Sequence, residues 1–466
     1  MGETWAVILA AGEGKRMISS LPKVLHPLCG RPMLRYVAEA AAAVADGRVI
    51  IVIGRGAHLV QEEMGTGWRY AFQEEQLGTG HALMQALPQL PEEGLLLVLC
   101  GDTPLIETAH LEQLLQEHGR NAATVLTTTL ADPSGYGRIV RHADGRIRIV
   151  EESDASPEEK QIGEINSGAY CFDLKHLRRR LPALTTDNAQ QEYYLTDVIG
   201  LLQEEGLPVG ACCIEDWRAV LGINDRCQLA EAAEIMRQRI NSALMRQGVT
   251  IVDPTSTYID FGVHIGPDTV IMPQTVIEGR TVIGSNCRIG PGAHIIDTEI
   301  HDGVIFRQSV SERSVIESEA LVGPFAYIRP GSRIGPRVKI GDFVEVKNAR
   351  IDAGTKVPHL SYVGDVDIGS GVNVGAGVIV VNFDGRRKHR SYIGKGAFIG
   401  CNSNLISPVE IGAGAFVAAG TTVTENVPPD ALAIARPEQK NCPGVAPRLL
   451  RKSDAQKEKD GEEEKK

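Results

Sequence analysis

The second half of the chain places aliphatic residues at a strict spacing of six. The first register is all isoleucine, and three others follow it. Their members are Ile259, Ile265, Ile271, Ile277, Ile283, Ile289 and Ile295; Val310, Ile316, Val322, Ile328, Ile334, Ile340 and Val346; Ile368, Val374 and Val380; and Ile393, Ile399, Leu405, Ile411, Val417 and Val423. Neither the helical nor the strand period generates this spacing, whereas a solenoid with three short strands per coil does. The pattern predicts an all-β, left-handed parallel β-helix of hexapeptide repeats.

The spacing of six breaks at three places, near residues 296–309, 347–367 and 381–392. An inserted residue or loop is the simplest cause of each break. Because functional side chains concentrate on loops that leave a rigid scaffold, we expect site residues at these breaks.

The first half of the chain alternates short aliphatic runs with helix-like segments. Ala6–Ala10, Val49–Ile53, Leu95–Leu99 and Ala123–Thr129 are predicted strands, and 32–45 is a predicted helix. This alternation is typical of a mostly parallel, Rossmann-like α/β sheet. Ligands of such sheets bind at the carboxyl ends of the strands.

A helical period separates the two halves. Leu229, Ala233, Met236, Ile240 and Leu244 share one face of a predicted helix that stops at Gly248. We therefore predict four segments: an α/β domain at 1–223, a linker helix at 224–248, a β-helix domain at 249–440 and a charged, disordered tail at 441–466.

Charge and cysteine content narrow the classes of function. The net charge of −11 argues against a general nucleic-acid binder. The nine cysteines show no CxxC pair or framework spacing, which favours free thiols in a reducing compartment. The start of the chain has no basic leader, and no run of about 18 apolar residues occurs. We expect a cytoplasmic protein with no membrane contact.

A glycine loop, Leu9-Ala-Ala-Gly-Glu-Gly-Lys-Arg-Met17, follows the first predicted strand. Glycines let backbone N–H groups approach a phosphate, and the cations of Arg16 and Lys23 can stabilise a phosphoryl transition state. A dinucleotide-type turn is the alternative, but its G-x-G-x-x-G order is absent. Asp102, just past the strand at 95–99, is either a metal ligand or the cap of a helix that Pro104 enters.

These motifs resemble a known family. The glycine loop followed by Pro22-Lys23 resembles the signature of sugar-nucleotide pyrophosphorylases. Within that family, Gln73, Gln76-Leu-Gly-Thr-Gly-His81 and Gly101-Asp102 resemble the bacterial bifunctional N-acetylglucosamine-1-phosphate uridyltransferase/glucosamine-1-phosphate N-acetyltransferases. The resemblance extends from about residue 4 to about residue 440.

The resemblance implies two successive transfers. The β-helix domain would acetylate glucosamine 1-phosphate with acetyl-CoA. The α/β domain would then transfer UMP from UTP to N-acetylglucosamine 1-phosphate, giving UDP-N-acetylglucosamine and pyrophosphate. It also implies a homotrimer formed through the β-helix, with the acetyltransferase site between subunits, and a product used for peptidoglycan and lipopolysaccharide.

In the first domain, the resemblance implies a Mg²⁺ site and a nucleotide-sugar site. The metal ligands would be Asp102 and Asn224, and the catalytic cations Arg16 and Lys23. UTP and UDP-N-acetylglucosamine would be bound by Leu9, Ala10, Ala11, Gly12, Lys23, Gln73, Gly78, Thr79, Gly137, Glu151, Asn166 and Asn224, of which Gly137, Glu151 and Asn166 hold the amino-sugar phosphate. Without the resemblance, Asn224 would be the N-cap of the linker helix, and Gln73 and Glu151 plain surface residues. Cys100 stands where tyrosine or serine is common.

In the second domain, the resemblance makes His359 the general base that takes a proton from the attacking amine. On spacing alone, a structural histidine at a loop is the alternative. Arg329, Lys347, Tyr362 and Asn373 would bind the sugar phosphate, and Ala376, Asn382, Phe383, Cys401, Ala419 and Arg436 acetyl-CoA. Phe383 and Cys401 replace the usual tyrosine and serine. The basic loop 386–390 is either solvated or meets the phosphates of CoA.

Two other functions compete with this interpretation. The chain could be a monofunctional sugar-1-phosphate nucleotidyltransferase whose β-helix only trimerises or regulates, but His359 with its neighbouring cations argues against that. It could also be a scaffold with a degenerate nucleotide fold. A scaffold is disfavoured by the joint presence of four residues: Arg16, Lys23, Asp102 and Asn224.

Overall fold

The computed structural model describes residues 3–450 of the chain. It divides into two compact units, Met1–Asp297 and Thr298–Lys466. The part of the charged tail at 451–466 lies outside the described residues. The predicted segment boundaries at 223, 248 and 440 stay a prediction.

The first unit contains an α/β sheet of nine strands. Its strands are β1 (Thr4–Ala10), β4 (Val49–Ile53), β5 (Arg69–Phe72), β6 (Leu95–Cys100), β7 (Ala123–Thr129), β8 (Arg138–Arg141), β9 (Ile147–Val150), β10 (Glu164–Asp173) and β11 (Val209–Cys213), and a separate hairpin is formed by β2 (Pro27–Leu28) and β3 (Arg31–Pro32). The helices are α1 (Met33–Val44), α2 (Ala57–Met64), α3 (Thr79–Ala86), α4 (Thr108–His118), α5 (Leu174–Arg180), α6 (Asp197–Glu204) and α7 (Arg226–Arg246).

The strand order is β11-β7-β10-β6-β1-β4-β5, with β8 on β10 and β9 on β8. β1 pairs in parallel with β4 and β6, whereas β10 runs antiparallel to β6 and β7. The predicted mostly parallel, Rossmann-like sheet is therefore confirmed. The strands predicted at Val49–Ile53 and Ala123–Thr129 have the observed bounds.

The central strands are buried on both faces, which explains their continuous aliphatic runs. Ile8, Ile51 and Leu97 face one layer of helices, which includes α1 and α4. Their neighbours Val7 and Val52 face the opposite layer, which includes α3, α5 and α6. This three-layer core holds the carboxyl ends of β1 and β6 side by side, with Leu9 paired to Cys100.

The N-caps of two helices show that neither candidate metal ligand is a helix cap, the structural alternative for both residues. The N-cap of α7 is Asp225, whose carboxylate accepts from the Gln228 N–H at 2.9 Å, so Asn224 is not the cap. The N-cap of α4 is Glu107, so Asp102 caps no helix either. Both side chains are thus left without a capping role.

The linker helix forms as predicted and packs within the first unit. In α7, Ala232 and Met236 join a buried cluster with Leu28, Met33 and Tyr36. The predicted face is shifted slightly, because Leu229, Ala233 and Ile240 are only half-buried at its margin.

The coils of the β-helix begin in the first unit and form most of the second. The first unit has β12 (Thr250–Ile251), β13 (Tyr258–Ile259), β14 (His264–Ile265), β15 (Val270–Ile271), β16 (Val276–Glu278), β17 (Val282–Ile283), β18 (Arg288–Ile289) and β19 (His294–Ile296). Within it, each strand pairs in parallel with the third strand along the chain, as β12 does with β15.

The second unit has β20 (Glu299–Ile300), β21 (Ile305–Phe306), β22 (Val310–Glu312), β23 (Val315–Ile316), β24 (Leu321–Val322), β25 (Tyr327–Ile328), β26 (Arg333–Ile334), β27 (Lys339–Asp342), β28 (Glu345–Lys347), β29 (Arg350–Ile351), β30 (Lys356–His359), β31 (Tyr362–Gly364), β32 (Val366–Ile368), β33 (Asn373–Val374), β34 (Ile379–Val381), β35 (Ser391–Ile393), β36 (Phe398–Ile399), β37 (Asn404–Ile406), β38 (Glu410–Ile411), β39 (Phe416–Val417), β40 (Thr422–Val423), β41 (Leu432–Ala433) and α8 (Ala446–Leu450). Its strands stack in parallel into three sheets, one strand per sheet and coil. The predicted hexapeptide β-helix is confirmed.

The residues predicted to point inward are buried, with one exception. Val310 is half-exposed, and Ser311 takes the inner position beside Ile328. The reason is a shortened coil, since the buried residues Phe306, Ser311 and Ile316 follow one another at steps of five rather than six. The Ser311 hydroxyl is satisfied inside by Ser314 at 2.7 Å.

This shift predicts unequal costs for two similar truncations. Ile316→Ala removes a fully buried side chain and should lower the free energy of unfolding by about 2–5 kcal/mol. Val310→Ala, on the outer face, should cost about 0.5 kcal/mol. Urea unfolding of the two variants checks this, and equal costs would contradict the shifted register.

No helix among residues 3–450 is both long enough and apolar enough to cross a membrane.

Candidate functional sites

A cavity of about 840 Å³ opens where β1 and β6 end. The residues predicted for the nucleotide that line it are Leu9, Ala10, Ala11, Gly12, Arg16, Lys23, Gln73, Gly78, Thr79, Asp102 and Asn224. These residues come from distant parts of the sequence, since the cavity spans Leu9 to Asn224. The α/β fold therefore gathers most of the predicted nucleotide residues into one place.

The glycine loop forms one wall of this cavity. Gly14 has a φ of +61°, and a Cβ there would lie 2.5 Å from the Cβ of Lys23, so only glycine allows this close approach. A Cβ at Gly12 would meet nothing within 4 Å. Gly14 thus has a packing role, whereas the space at Gly12 suits close approach of a ligand.

Lys23 joins the two candidate metal ligands. Its ammonium donates a hydrogen bond to the Asp102 carboxylate and another to the Asn224 amide oxygen, the latter at 3.1 Å. Two oxygen atoms from distant parts of the chain therefore point at one cation, the Lys23 ammonium. Carboxylate and amide oxygens are ligands that Mg²⁺ accepts, so these residues fit a divalent cation chemically.

The hydrogen bonds of Gln73 define what it can offer a base. Its side-chain NH₂ lies 3.1 Å from the Gly78 carbonyl and 3.1 Å from the His81 ring Nδ1, and only 4% of the residue is exposed. Its side-chain oxygen is then the atom left to face the cavity. A carbonyl acceptor complements the N–H of uracil, whereas the ring nitrogen of cytosine at that position has no hydrogen to donate.

The residues predicted for the amino-sugar phosphate form a second group beside the cavity. The backbone N–H of Asn166 donates to the Gly137 carbonyl at 2.8 Å, and a Cβ on Gly137 would lie 3.4 Å from the Glu151 carboxylate. Burial raises the pKa of Glu151, and its carboxylate accepts from the Thr196 hydroxyl at 3.1 Å. Gly137, Glu151 and Asn166 do not line the nucleotide cavity itself.

Cys100 connects these two groups. It lines the nucleotide cavity, and its thiol lies 3.5 Å from the Gly168 carbonyl in the strand that carries Asn166. Burial, and then the neighbouring Asp102, raise the pKa of this thiol to about 12. The cysteine is therefore a neutral group at the boundary of the two predicted subsites.

We expect Cys100 to resist alkylation. With a pKa of about 12, only about one thiol in 10⁴ is ionised at pH 8, and the thiolate is the reactive form. Iodoacetamide should therefore modify the exposed cysteines first, as peptide mass spectrometry can follow; these are Cys213, Cys227, Cys401 and Cys442. Asp102→Ala should speed the modification of Cys100, because it removes a charge that raises the pKa; rapid labelling in the unmodified chain would contradict this.

In the second unit, His359 ends β30 and is just over half exposed. Its Nδ1 is hydrogen-bonded to Asp342, which occupies the paired position one coil earlier in β27. That hydrogen bond lowers the pKa of Asp342. A carboxylate that accepts from Nδ1 fixes the ring orientation and leaves Nε2 free to accept a proton.

The candidate sugar-phosphate residues lie on successive coils of a neighbouring sheet. Arg329 follows β25 and pairs with Glu345 at 2.7 Å, Lys347 ends β28, and Tyr362 begins β31. Lys388, from the basic loop, approaches Lys347, whose ammonium lowers the pKa of Lys388. Two adjacent ammonium groups repel each other, so this place favours an anion.

The residues predicted for acetyl-CoA fall into two groups. Ala376, Cys401 and Ala419 follow β33, β36 and β39 at equivalent corners of successive coils, and Arg436 donates to the Ala419 carbonyl at 2.7 Å. Asn382 instead contacts the Tyr362 hydroxyl at 3.2 Å, with the exposed Phe383 beside it.

Asn373 stands apart from the other predicted sugar-phosphate residues. It lies in β33 and pairs with Lys356 of β30, and these two strands belong to a different sheet from β25, β28 and β31. Among the hydrogen bonds of residues 3–450, none joins its side chain to Arg329, Lys347 or Tyr362.

Some site residues were missed by the sequence analysis. Gln190 and Glu192 line the nucleotide cavity because the backbone of Tyr193 bonds to Leu77 and Gly80 at 2.8 Å, a contact without any local motif. Asp342 could have been predicted from the sequence, because it lies one coil before the candidate base in the repeat. Lys388 was noted only as part of a basic loop.

Two family models match the chain. Residues 6–191 match the MobA-like NTP transferase domain. Residues 262–297, 313–348 and 390–425 match the bacterial transferase hexapeptide (six repeats). The two matches fall on the α/β sheet and on the coils of the β-helix.

Curated relatives match over nearly the whole length. The "Bifunctional protein GlmU" of Brevibacillus brevis is 51% identical, covering 98% of this chain and 100% of the relative. Proteins of the same name from Acetivibrio thermocellus and a Geobacillus species are 53% and 50% identical, covering 93% and 96% of this chain and 95% and 99% of those relatives. Similarity of this extent covers both sites together.

Proposed function

Because the chain belongs to the family of bifunctional GlmU proteins, we propose that it is a two-step enzyme of UDP-N-acetylglucosamine synthesis. The second unit acetylates glucosamine 1-phosphate with acetyl-CoA. The α/β domain then transfers UMP from UTP to N-acetylglucosamine 1-phosphate and releases pyrophosphate. The observation that carries the proposal is the coexistence of a nucleotide cavity and a separate histidine–carboxylate pair in one chain.

In the uridylyl step, an oxygen of the sugar 1-phosphate attacks the α-phosphorus of UTP in line with the departing pyrophosphate. Gln73 offers its carbonyl to the uracil N–H, and the loop from Leu9 to Gly12 holds the base and ribose. Arg16 and Lys23 neutralise charge on the phosphates. The convergence of these groups on one cavity supports these roles.

We propose Mg²⁺ as the metal of this step, held by Asp102 and Asn224. When bound, the ion supplies positive charge to the triphosphate. The support is that both oxygens already accept from one cation, the Lys23 ammonium. Gly137, Glu151 and Asn166 are proposed to hold the amino-sugar phosphate, with Cys100 between them and the nucleotide.

In the acetyl step, the amine of glucosamine 1-phosphate attacks the thioester carbonyl. A C–N bond forms, the C–S bond breaks and the CoA thiolate leaves, while Nε2 of His359 takes the proton of the amine. Arg329, Lys347 and Tyr362 are proposed to bind the phosphate, with Asn373 as a further sugar contact. Ala376, Asn382, Phe383, Cys401, Ala419 and Arg436 are the proposed acetyl-CoA contacts.

We also propose a homotrimer through the β-helix. The support is an exposed apolar stripe on the outer face of one sheet, where Phe398 stacks on Phe416 at 4.6 Å and Leu432 follows in register. Patches of this kind mark interfaces in soluble proteins. Sedimentation of the chain and of Phe416→Asp tests it: the variant should dissociate, and a monomeric parent chain would refute the trimer.

We propose a cytoplasmic location, which is supported by the absence of any CxxC pair or framework spacing among the nine cysteines of the sequence. Small sugar phosphates, UTP and acetyl-CoA are the proposed partners, and neither nucleic acid nor a membrane is among them.

The deciding experiment runs both half-reactions on the unmodified chain. Thiol release from acetyl-CoA should require glucosamine 1-phosphate and should proceed without Mg²⁺. Pyrophosphate release from UTP should require both N-acetylglucosamine 1-phosphate and Mg²⁺. Uridylyl transfer without any acetyl transfer would instead identify a monofunctional nucleotidyltransferase, and the absence of both reactions would favour a scaffold.

A further inference from the structure

A buried carboxylate lies beside the candidate sugar-phosphate residues. Asp365 follows β31 and is 7% exposed. One of its carboxylate oxygens accepts from the Asn348 side-chain NH₂ and the other from the Asn382 side-chain NH₂, both at 2.6 Å. The positive charges of Lys388 and Arg390 lie close enough to be attracted by the Asp365 carboxylate, although the nearby Lys347 lowers the pKa of Lys388 overall. The carboxylate is therefore compensated in its buried position.

This contact fixes the orientation of the Asn382 amide. A carboxylate can only accept, so the NH₂ group and not the carbonyl of Asn382 must face Asp365. The same NH₂ group donates its second hydrogen to the Tyr362 hydroxyl at 3.2 Å. Both amide hydrogens are thus used, and the Asn382 side-chain oxygen is left as an acceptor.

The orientation of Asn382 in turn fixes the role of Tyr362. A hydroxyl has one hydrogen, and an oxygen that accepts from Asn382 keeps its own hydrogen for another partner. The chain of hydrogen bonds from Asp365 through Asn382 to Tyr362 therefore has one direction. It presents a donor at Tyr362, which is what a phosphate needs.

We propose that Asp365 is a positioning residue for acetyl transfer, which sets the direction of this hydrogen-bond chain so that Tyr362 donates to the phosphate of the amino sugar. Asp365 touches neither substrate and acts through Asn382. The inference rests on the proposed acetyltransferase function and adds a residue to it. A carboxylate that only braces two coils through Asn348 and Asn382 would serve stability alone.

The structure offers a variant that separates these two roles. In the double variant Asp365→Asn with Asn382→Asp, called the exchange variant below, the amide introduced at position 365 can accept from Asn348 and donate to the carboxylate introduced at position 382. Every hydrogen bond among the three positions is therefore kept, and the net charge is unchanged. Asp365 has a φ of +49°, a conformation that asparagine tolerates. The carboxylate at position 382, however, cannot donate to Tyr362, whose hydrogen must then turn toward that carboxylate.

The expected result is a difference between stability and binding. Asp365→Asn alone should lower the melting temperature and raise the KM for glucosamine 1-phosphate about tenfold. The exchange variant should return the melting temperature to within about 2 °C of the parent chain. Its KM should stay raised, while kcat changes less, because Tyr362 no longer donates to the phosphate. Recovery of KM together with stability would overturn the proposal.

A second measurement examines Tyr362 directly and applies whether or not the exchange variant folds. Tyr362→Phe should raise KM about tenfold in the parent chain but have almost no effect in the exchange or the Asp365→Asn background. An equal rise in KM in all three backgrounds would refute the coupling of Tyr362 to Asp365. UTP turnover should be unchanged in every variant. If the parent chain transfers no acetyl group, the proposed function itself is wrong.

Discussion

His359→Ala is expected to lower acetyl transfer to glucosamine 1-phosphate by about 10²–10⁴-fold, the usual contribution of a general base. The amine must lose a proton as the C–N bond forms, and the imidazole ring, oriented by Asp342, offers Nε2 for it. Uridylyl transfer should be unaffected, because the nucleotide cavity lies in the other compact unit. Thiol release and pyrophosphate release, measured on one preparation, check both statements.

Asp342→Asn is the matched variant for this pair. It keeps the size of the side chain but removes the charge that holds the histidine ring, so acetyl transfer should fall about 10-fold or more, and less than in His359→Ala. Retention of full acetyl transfer in His359→Ala would show that another group takes the proton. Loss of uridylyl transfer as well would indicate misfolding.

Asp102→Ala should reduce Mg²⁺-dependent uridylyl transfer by about 10³-fold or more while acetyl transfer continues. The carboxylate is the charged member of the candidate metal pair, and its removal leaves Asn224 as the single protein ligand in that pair. The variant should also bind Mg²⁺ and UTP together more weakly, which calorimetry measures independently of turnover.

Asp225→Ala is a suitable control for this variant. Asp225 adjoins Asn224 but caps α7, so its removal should cost about 1 kcal/mol of stability with uridylyl transfer retained. Normal Mg²⁺ dependence in Asp102→Ala would refute the metal assignment. Loss of both transfers would indicate a folding defect rather than a missing ligand.

The repeat of six made the β-helix predictable from the sequence. Each coil buries its aliphatic residues against the coils next to it, so the fold repeats the pattern along most of its length. Val310 was the wrong inner residue because a coil can shorten and keep its pairing, and only the paired strands show that Ser311 took the place. The predicted strands of the α/β sheet were confirmed for a similar reason, since strands buried on both faces must be continuously aliphatic.

Without the resemblance, the sequence predicted only those site residues that belong to short motifs or follow a predicted strand. The glycine loop, Lys23 and Asp102 were found from motifs, and they meet in one cavity. Asn224 was identified through family resemblance, and the cap at Asp225 then excluded its structural alternative.

The sequence by itself determined the two architectures and, at the nucleotide cavity, the glycine loop, Lys23 and Asp102, because periodic burial and glycine loops leave local patterns. The remaining predicted residues of that cavity came from the family resemblance. The tertiary structure alone decided which side chains share hydrogen bonds: Lys23 with Asn224, His359 with Asp342, and Asp365 with Asn382. The physical reason is that a hydrogen bond requires its donor and acceptor atoms to lie about 3 Å apart. These residues reach that distance only through sheet pairing and coil stacking. No spacing along the chain encodes the direction in which each of those bonds donates.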